Sequence, residues 1–228
     1  MKKKENKRLS DFKQKYETAR MAYGDKREMF EIWQSQYDGL MQPKQGKTVE
    51  TLFNFSKELV ESQIDSNVPA PKVEADKPTE RNKQLAMIAE KMLRGEVKRL
   101  KFKEENDEDE RTAKIHGGNL RLVEWDNTQK THDTVGAANS LLIHPLQYIP
   151  QEGVYRAKLM DYQFVTFEKT KTMIKAQYNK DVDDETIDQQ TAEATQANET
   201  VTQIICYYRN NKGGIGVFSW AGDTVLID

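Results

Sequence analysis

Residues 106–154 read NDEDERTAKIHGGNLRLVEWDNTQKTHDTVGAANSLLIHPLQYIPQEGV and decide how the second half of the chain is expected to fold. An acidic run leads into a Gly-Gly pair, after which apolar residues alternate with the period of two that is typical of a β-strand. Polar turn residues at 126–128 precede a second apolar strand region, which ends at Pro150. The stretch contains no catalytic constellation, and this indicates structural scaffold.

The first of these strands is expected to place Leu120, Leu122 and Trp125 on one face and Val123 on the opposite face. The second strand region covers 141–143 and continues at 148–149. The pattern predicts that a turn at 126–128 joins the two regions.

Strand patterns continue toward the end of the chain. The expected elements are strands at 162–167, 201–208 and 214–220, a short helix at 169–179, and a strand or helix start at 225–228. Residues 210–214, Asn-Asn-Lys-Gly-Gly, are typical of a hairpin because asparagine and glycine tolerate positive φ. Residues 181–199 are poor in large apolar side chains and predict a loop or a solvated helix.

The first half of the chain predicts helices. Apolar residues recur at spacings of three and four over 8–38, 48–66 and 79–100, and Gly24 is expected to break or bend the first helix. The second helix, with Thr48 as a partial N-cap, has an apolar face wide enough for deep burial. The third helix is expected to bury its apolar side, which consists of Leu85, Ile88, Met92, Leu93, Val97 and Leu100.

These elements predict an α+β fold, with N-terminal helices packed on a small mixed or antiparallel sheet. Residues 72–75 favour a short edge strand between two helices. The expected organisation is an N-terminal helical arm at 1–45, a helical portion at 46–113 and a β-rich portion at 114–228. The abrupt end after Asp228 suggests that the natural chain continues.

The composition favours a protein whose surface is completed by neighbours. Of the 228 residues, 36% are hydrophobic and 32% are charged, so the chain alone buries a modest core. The net charge of −2 gives no overall attraction to nucleic acid or to a membrane. The first fifteen residues do carry seven Lys or Arg against two acids, which leaves a nucleic-acid-binding adaptor as the alternative function.

The residues that could carry chemistry predict no enzyme site. His116, His132 and His144 are each expected to be loop or surface residues, because their spacing places no two on one helical or strand face. A metal hydrolase built on them would need a tertiary coincidence and would contain bound zinc. With a single cysteine, Cys206, the chain has no disulfide framework.

Two further segments resemble ligand-binding motifs only in part. Residues 45–48, Gln-Gly-Lys-Thr, match the end of a phosphate-binding loop, but the position that needs its first glycine is Met41. The acidic run 104–110 lacks the glycine and the spaced glutamate of a calcium loop and is expected to be a solvated charge run. We therefore predict no catalytic, cofactor-binding or metal-binding residue.

A series of short segments, in order from about residue 30 to the end, resembles the portal proteins of tailed phages and prophages of Gram-positive bacteria. The segments are LFNF at 52–55, VESQIDSNVP at 60–69, DERT at 109–112, HGG at 116–118, LVEWDNT at 122–128, HP at 144–145, IPQEGV at 149–154, YYRN at 207–210, GGIG at 213–216 and FSW at 218–220. The ordered set is more specific than any one member. The chain departs from the pattern at Ser56-Lys57 and over 183–199.

The resemblance implies a structural subunit of a ring, usually of twelve copies, at one vertex of a capsid. Double-stranded DNA would be pumped through the ring by the terminase large subunit during packaging and would leave through it at ejection. Capsid and scaffold proteins and a head-tail adaptor are the other implied partners, and no membrane is implied. The ring would assemble in the host bacterial cytoplasm and remain in the virion, and this chain would form mainly the wing, with stem and clip beyond Asp228.

An aromatic stripe on the first helical segment predicts where subunits meet. Phe30, Trp33 and Tyr37 recur at spacings of three and four. Aromatic side chains at such spacing belong to a core or to a protein interface far more often than to a cofactor site. We assign these three residues as possible subunit-interface residues.

Overall fold

The computed structural model describes residues 2–40, 54–65, 68–77, 79–130, 135–154, 156–182, 200–210 and 213–228. These residues form six α-helices and two antiparallel sheets, of two and five strands, so the fold is α+β as predicted. The chain divides into two compact units: unit 1 comprises Met1–Met29 and Leu146–Asp228, and unit 2 comprises Phe30–Pro145.

The helices and strands follow one another along the chain with two short 3-10 turns, at Pro145–Gln147 and Ala157–Leu159. The helices are α1 (Lys2–Ala22), α2 (Gly24–Asp38), α3 (Phe55–Ser62), α4 (Glu80–Arg99), α5 (Phe102–His116) and α6 (Lys171–Tyr178). The strands are β1 (Leu120–Lys130), β2 (Val135–Ile143), β3 (Tyr148–Pro150), β4 (Tyr162–Thr170), β5 (Thr200–Arg209), β6 (Ile215–Ala221) and β7 (Thr224–Ile227).

Unit 1 is built around a five-stranded antiparallel sheet in the order β3-β4-β5-β6-β7. Helix α1 packs on one face of this sheet through side chains spaced by three and four residues, and Phe12 stacks on Phe218 with ring centroids 4.7 Å apart. The buried residues that α1 contributes are Leu9, Phe12, Tyr16 and Ala19. The buried residues beneath it are Ile149, Tyr162, Phe164, Cys206, Phe218 and Trp220.

The opposite face of the sheet in unit 1 is covered in part by α6. Ile174 of α6 is fully buried in a second cluster with Val182, Ala221 and Leu226. The buried Gln203 amide donates hydrogen bonds to Tyr178 Oη at 2.9 Å and to Ser219 Oγ at 2.8 Å. A helix therefore packs on each face of the sheet, and the buried amide nitrogen of Gln203 has two hydrogen-bond acceptors.

Unit 2 contains α3, α4, α5, the β1–β2 hairpin and the part of α2 from Phe30 onward. Arg121 of β1 connects the hairpin to α5: Nε lies 2.6 Å from Asp109 Oδ2 and Nη1 lies 2.7 Å from Glu105 Oε2. The same guanidinium lies 4.7 Å from the Phe102 ring centroid and donates to Ser140 Oγ at 2.7 Å.

The acidic run 104–110 is only in part the solvated charge run that the sequence predicts, since Glu104 and Glu108 are exposed but Asp109 is not. It lies within α5, which starts after Lys101 at φ 49° and stops before Gly117 at φ 77°. The Asp109 side chain is only 13% exposed and forms an ion pair with Arg121. A carboxylate can be partly buried at such a place when a guanidinium pairs with it.

The hairpin also differs from its prediction. The strand β1 continues through 126–128 to Lys130, so the predicted turn at those residues is wrong. The register shifts between Asp126 and Lys130, and this irregularity accommodates the turn-type residues inside a strand. Val123 and Trp125 lie on the same face, since they are two residues apart, and both are exposed.

The edge strand predicted at 72–75 is wrong. The structure describes these residues, and they form no strand. The Val73 backbone N–H instead donates to Glu90 Oε2 of α4 at 3.3 Å. A helix side chain thus satisfies a backbone donor that the prediction assigned to a sheet.

Most of the other predicted elements are confirmed. Gly24 divides the first helical segment into α1 and α2, and α4 begins after its N-cap Thr79. The strands predicted at 162–167, 201–208 and 214–220 and the helix at 169–179 correspond to β4, β5, β6 and α6. In the predicted hairpin, Asn210 N–H donates to Gly214 O at 2.9 Å, while 211–212 lie outside the described residues.

The predicted burial is wrong for most of α4, where only Val97 and Leu100 of the predicted side are half-buried, and for Leu59 of the second helix. Leu85, Ile88 and Met92 are 54%, 55% and 69% exposed, and α4 turns a different side, including Ala86 and Ala89, toward the chain. On α3, Leu59 is also exposed. Thr48 and the first residues of that predicted helix lie outside the described residues. Apolar periodicity identifies the face of a helix that favours burial. It does not identify which surface, of this chain or of another, packs against that face.

Candidate functional site

A groove in unit 2 lies between α2, α3 and α5, and we call it the α2–α3–α5 groove. Its volume is about 340 Å³. Its lining includes Trp33, Tyr37, Ser56, Val60, Lys114 and Ile115. Two aromatic rings from α2 and aliphatic side chains from α3 and α5 make the lining mainly apolar, which suits the packing of another apolar surface.

One hydrogen-bonded ion pair holds the three helices of the groove in place. Arg111 of α5 donates to Glu61 of α3 in a bidentate arrangement, Nε to Oε1 at 2.7 Å and Nη2 to Oε2 at 3.1 Å. Tyr37 Oη of α2 donates to the same carboxylate. Hydrogen bonds from Arg111 and then Tyr37 lower the pKa of Glu61 to about 2, so this carboxylate stays ionised at neutral pH.

Asn54 fixes the start of α3 against the end of α2. Its side-chain Oδ1 accepts from the Lys57 backbone N–H at 3.1 Å, which makes it the N-cap of α3. Its Nδ2 donates to the Tyr37 carbonyl at 2.7 Å. One amide side chain thus caps one helix and joins it to another, so the groove walls are held by specific contacts.

The three assigned interface residues lie together on α2 and are half-buried. The Phe30 ring packs 5.5 Å from the Trp33 ring and 5.6 Å from the His116 ring, measured between centroids. Trp33 and Tyr37 line the groove. Part of each aromatic surface is therefore used within unit 2, and the assignment of Phe30, Trp33 and Tyr37 to a subunit interface stays a prediction.

A second apolar surface of unit 2 is the α4 stripe, which we define as Leu85, Ile88 and Met92. Spacings of three and four residues align these side chains on one side of the helix, and all three are more than half exposed. Single exposed apolar side chains are ordinary, whereas a row along a 20-residue helix is typical of a contact surface.

The prediction of a loop or surface position is wrong for His116, whereas His144 does lie in the loop directly after β2. His116 at the end of α5 is 5% exposed, and its ring meets the ring of the half-buried His144 edge-to-face, with centroids 4.7 Å apart. Gln34 Oε1 lies 3.1 Å from His116 Nε2. Tertiary packing joins residues 28 positions apart, and no sequence spacing indicates that contact; His132 lies outside the described residues.

The remaining candidates are Cys206, a metal site and the phosphate-loop-like segment 45–48. Cys206 is fully buried, and burial raises the pKa of its thiol to about 12, so it is a protonated core residue at neutral pH. Within the described ranges no group of three or more His, Cys, Asp or Glu residues is arranged to hold a metal ion. The phosphate-loop-like residues 45–48 lie outside these ranges.

Some basic side chains of the N-terminal segment make contacts within unit 1. The Arg8 guanidinium lies 5.3 Å from the Phe218 ring centroid and 5.5 Å from that of Tyr208, and it pairs with Asp228. Lys13 pairs with Asp223. These contacts fasten α1 to the sheet and occupy charges that the adaptor alternative would direct toward nucleic acid.

No helix within the described ranges is both long enough and apolar enough to cross a lipid bilayer.

Comparison with known proteins adds no assignment: no protein-family model matches the chain, and no curated protein matches it.

Proposed function

We propose that this protein is a structural subunit of a phage portal, a ring that forms the DNA channel at one capsid vertex for genome packaging and ejection. The observation that carries the proposal is the ordered series of segments, from LFNF at 52–55 to FSW at 218–220, that resembles Gram-positive phage and prophage portals. Its partners would be further copies of itself, the terminase large subunit, capsid and scaffold proteins, a head-tail adaptor and double-stranded DNA. Its location would be the virion.

The two apolar surfaces of unit 2 support a ring. In a head-to-tail ring each subunit uses two different surfaces, one for each neighbour. The α2–α3–α5 groove is concave and aromatic, whereas the α4 stripe is a projecting row of aliphatic side chains. We propose that copies of this chain pack on both surfaces. In a closed ring of identical subunits, each subunit contacts one neighbour through each surface.

The charge balance supports a passive channel. DNA that slides through a ring is held back by strong phosphate binding, which depends on many lysine and arginine contacts. This chain has a net charge of −2. Its role would be to hold a symmetric passage and a docking platform, while the terminase would hydrolyse ATP.

Substitution of the groove aromatics tests the proposed interface. We expect the double variant Trp33→Ala, Tyr37→Ala to weaken ring assembly, because it removes both aromatic rings from the groove. Sedimentation velocity measures the change as a shift from rings to smaller species.

Folding has to be checked in the same experiment, because Tyr37 also donates a hydrogen bond to Glu61. Circular dichroism should show a folded variant, and Glu31→Ala, an exposed position on the same helix, is the matched control. Normal rings from a folded double variant would exclude these residues from the interface.

A further inference from the structure

The His116–His144 contact joins three elements of unit 2. His116 is the last residue of α5, and His144 follows directly after β2. From α2, the Phe30 ring meets the His116 ring edge-to-face at 5.6 Å, and Gln34 Oε1 lies 3.1 Å from His116 Nε2. One imidazole thus contacts a residue next to β2 and two residues of α2.

The surroundings of His116 suit a neutral ring. Its Nδ1 atom is buried and has no hydrogen-bond partner among the described residues. The distance from Nε2 to Gln34 Oε1 fits a neutral imidazole that donates one hydrogen bond and leaves Nδ1 without a proton. A proton added at Nδ1 would therefore place a buried charge without a partner beside the other histidine.

Residues of α2 and α5 face the pair in the described part of unit 2. From α2 they are Phe30 and Gln34, which carry no charge. From α5 the charged neighbour is Glu108, which acts on His144 and favours its protonated form. Burial outweighs that effect, so the pKa of His144 is lowered. Burial, followed by the effect of His144, lowers the pKa of His116 to about 4.

We propose that the His116–His144 contact is an acid-sensitive latch, which holds α2, α5 and the end of β2 together while both rings are neutral and opens when a proton enters. A proton on either ring places a positive charge that faces the other ring, whose centroid lies 4.7 Å away. A second proton would place two like charges in contact. This inference is independent of the portal proposal.

The pH range of the latch follows from the two states of His116. The unfolded pKa is near 6.5 and the folded pKa is about 4, so the folded chain binds fewer protons in between. The stabilisation is complete above pH 6.5 and is lost as the pH falls toward 4. Over that range the unfolding equilibrium constant of unit 2 should rise on the order of 100-fold.

Thermal unfolding of the full chain at about pH 7 and about pH 4 measures the latch. The variant His116→Phe keeps an aromatic ring at the site but cannot take up a proton, so its midpoint should fall much less than that of the wild type. His144→Phe should also reduce the fall. The matched control His132→Phe removes the third histidine and should retain the wild-type dependence.

Histidine NMR titration of the wild-type chain keeps the test decisive if a variant fails to fold. We expect two of the three imidazoles to titrate clearly below pH 6.5. Two outcomes would overturn the latch: all three imidazoles titrating near 6.5, or a folded His116→Phe variant with the full acid dependence of the wild type.

Discussion

Gly136 in β2 is the residue whose identity the hairpin constrains most tightly. It adopts φ +93°, and a Cβ built there would stand 2.7 Å from Trp125 Cε2. Glycine alone meets both conditions without strain, because it has no Cβ and tolerates positive φ. The exposed indole of Trp125 therefore lies against the backbone of Gly136.

Substitution of this glycine gives a quantitative prediction. Gly136→Ala should lower the free energy of unfolding by about 1–3 kcal/mol, because the methyl group meets the indole and the φ angle becomes strained. In a Trp125→Ala background the same change should cost less, since only the backbone strain remains. Urea unfolding of the four chains of this cycle measures the difference.

Equal costs in the two backgrounds would show that Trp125 does not lie against Gly136 in solution.

Single residues also show where sequence-based prediction stops. The apolar alternation around Arg121 predicts a strand correctly, but it does not indicate that the guanidinium pairs with Glu105 and Asp109 of the preceding helix. The histidine pair is a similar case, because the pairing of His116 and His144 depends on how α5 and β2 pack. Local patterns specify local structure, whereas such partners are fixed by tertiary contacts.

At the scale of elements, the sequence of α4 predicts its local structure but not its tertiary contacts. Its N-cap Thr79, which accepts from the Asn82 N–H at 3.3 Å, and its basic last turn are both readable from the sequence. Its apolar periodicity is readable too. The prediction failed only in assuming that the same chain covers this face, since the α4 stripe is exposed.

Polar substitution of the α4 stripe tests whether another copy covers it. Leu85→Ser, Ile88→Ser and Met92→Ser together should leave the helical signal nearly unchanged, because these side chains are more than half exposed in the single chain. Self-association should weaken by at least about tenfold if the stripe lies in an interface. Sedimentation velocity over a concentration series measures both the wild type and the variant.

A matched triple variant controls for serine content on the same helix. Gln84→Ser, Lys91→Ser and Lys98→Ser change exposed polar positions and should assemble like the wild type. Equal assembly of the stripe variant and this control would remove the α4 stripe from the interface.

At the scale of the whole chain, the order of helices and strands along the sequence does not predict the two compact units. Helix α1 completes a sheet whose strands begin more than a hundred residues later, so unit 1 contains both ends of the chain. The sequence shows that α1 is amphipathic and that the last hundred residues are rich in strands. It does not show that one packs on the other, because the contact is long-range.

This arrangement also changes how the nucleic-acid alternative has to be tested. Removal of residues 1–15 would delete Leu9 and Phe12 from the core of unit 1, so any lost binding would report unfolding. Replacement of Lys2, Lys3 and Lys4 by glutamine is the sharper change. An adaptor would show salt-dependent DNA binding that falls in this variant.

The portal proposal requires a ring with a channel, and electron microscopy of the purified protein would reveal such a ring. The portal proposal predicts ring-shaped particles, usually of twelve subunits, with a central hole wide enough for double-stranded DNA. Well-folded monomers, or assemblies without a central hole, at all protein concentrations would contradict it.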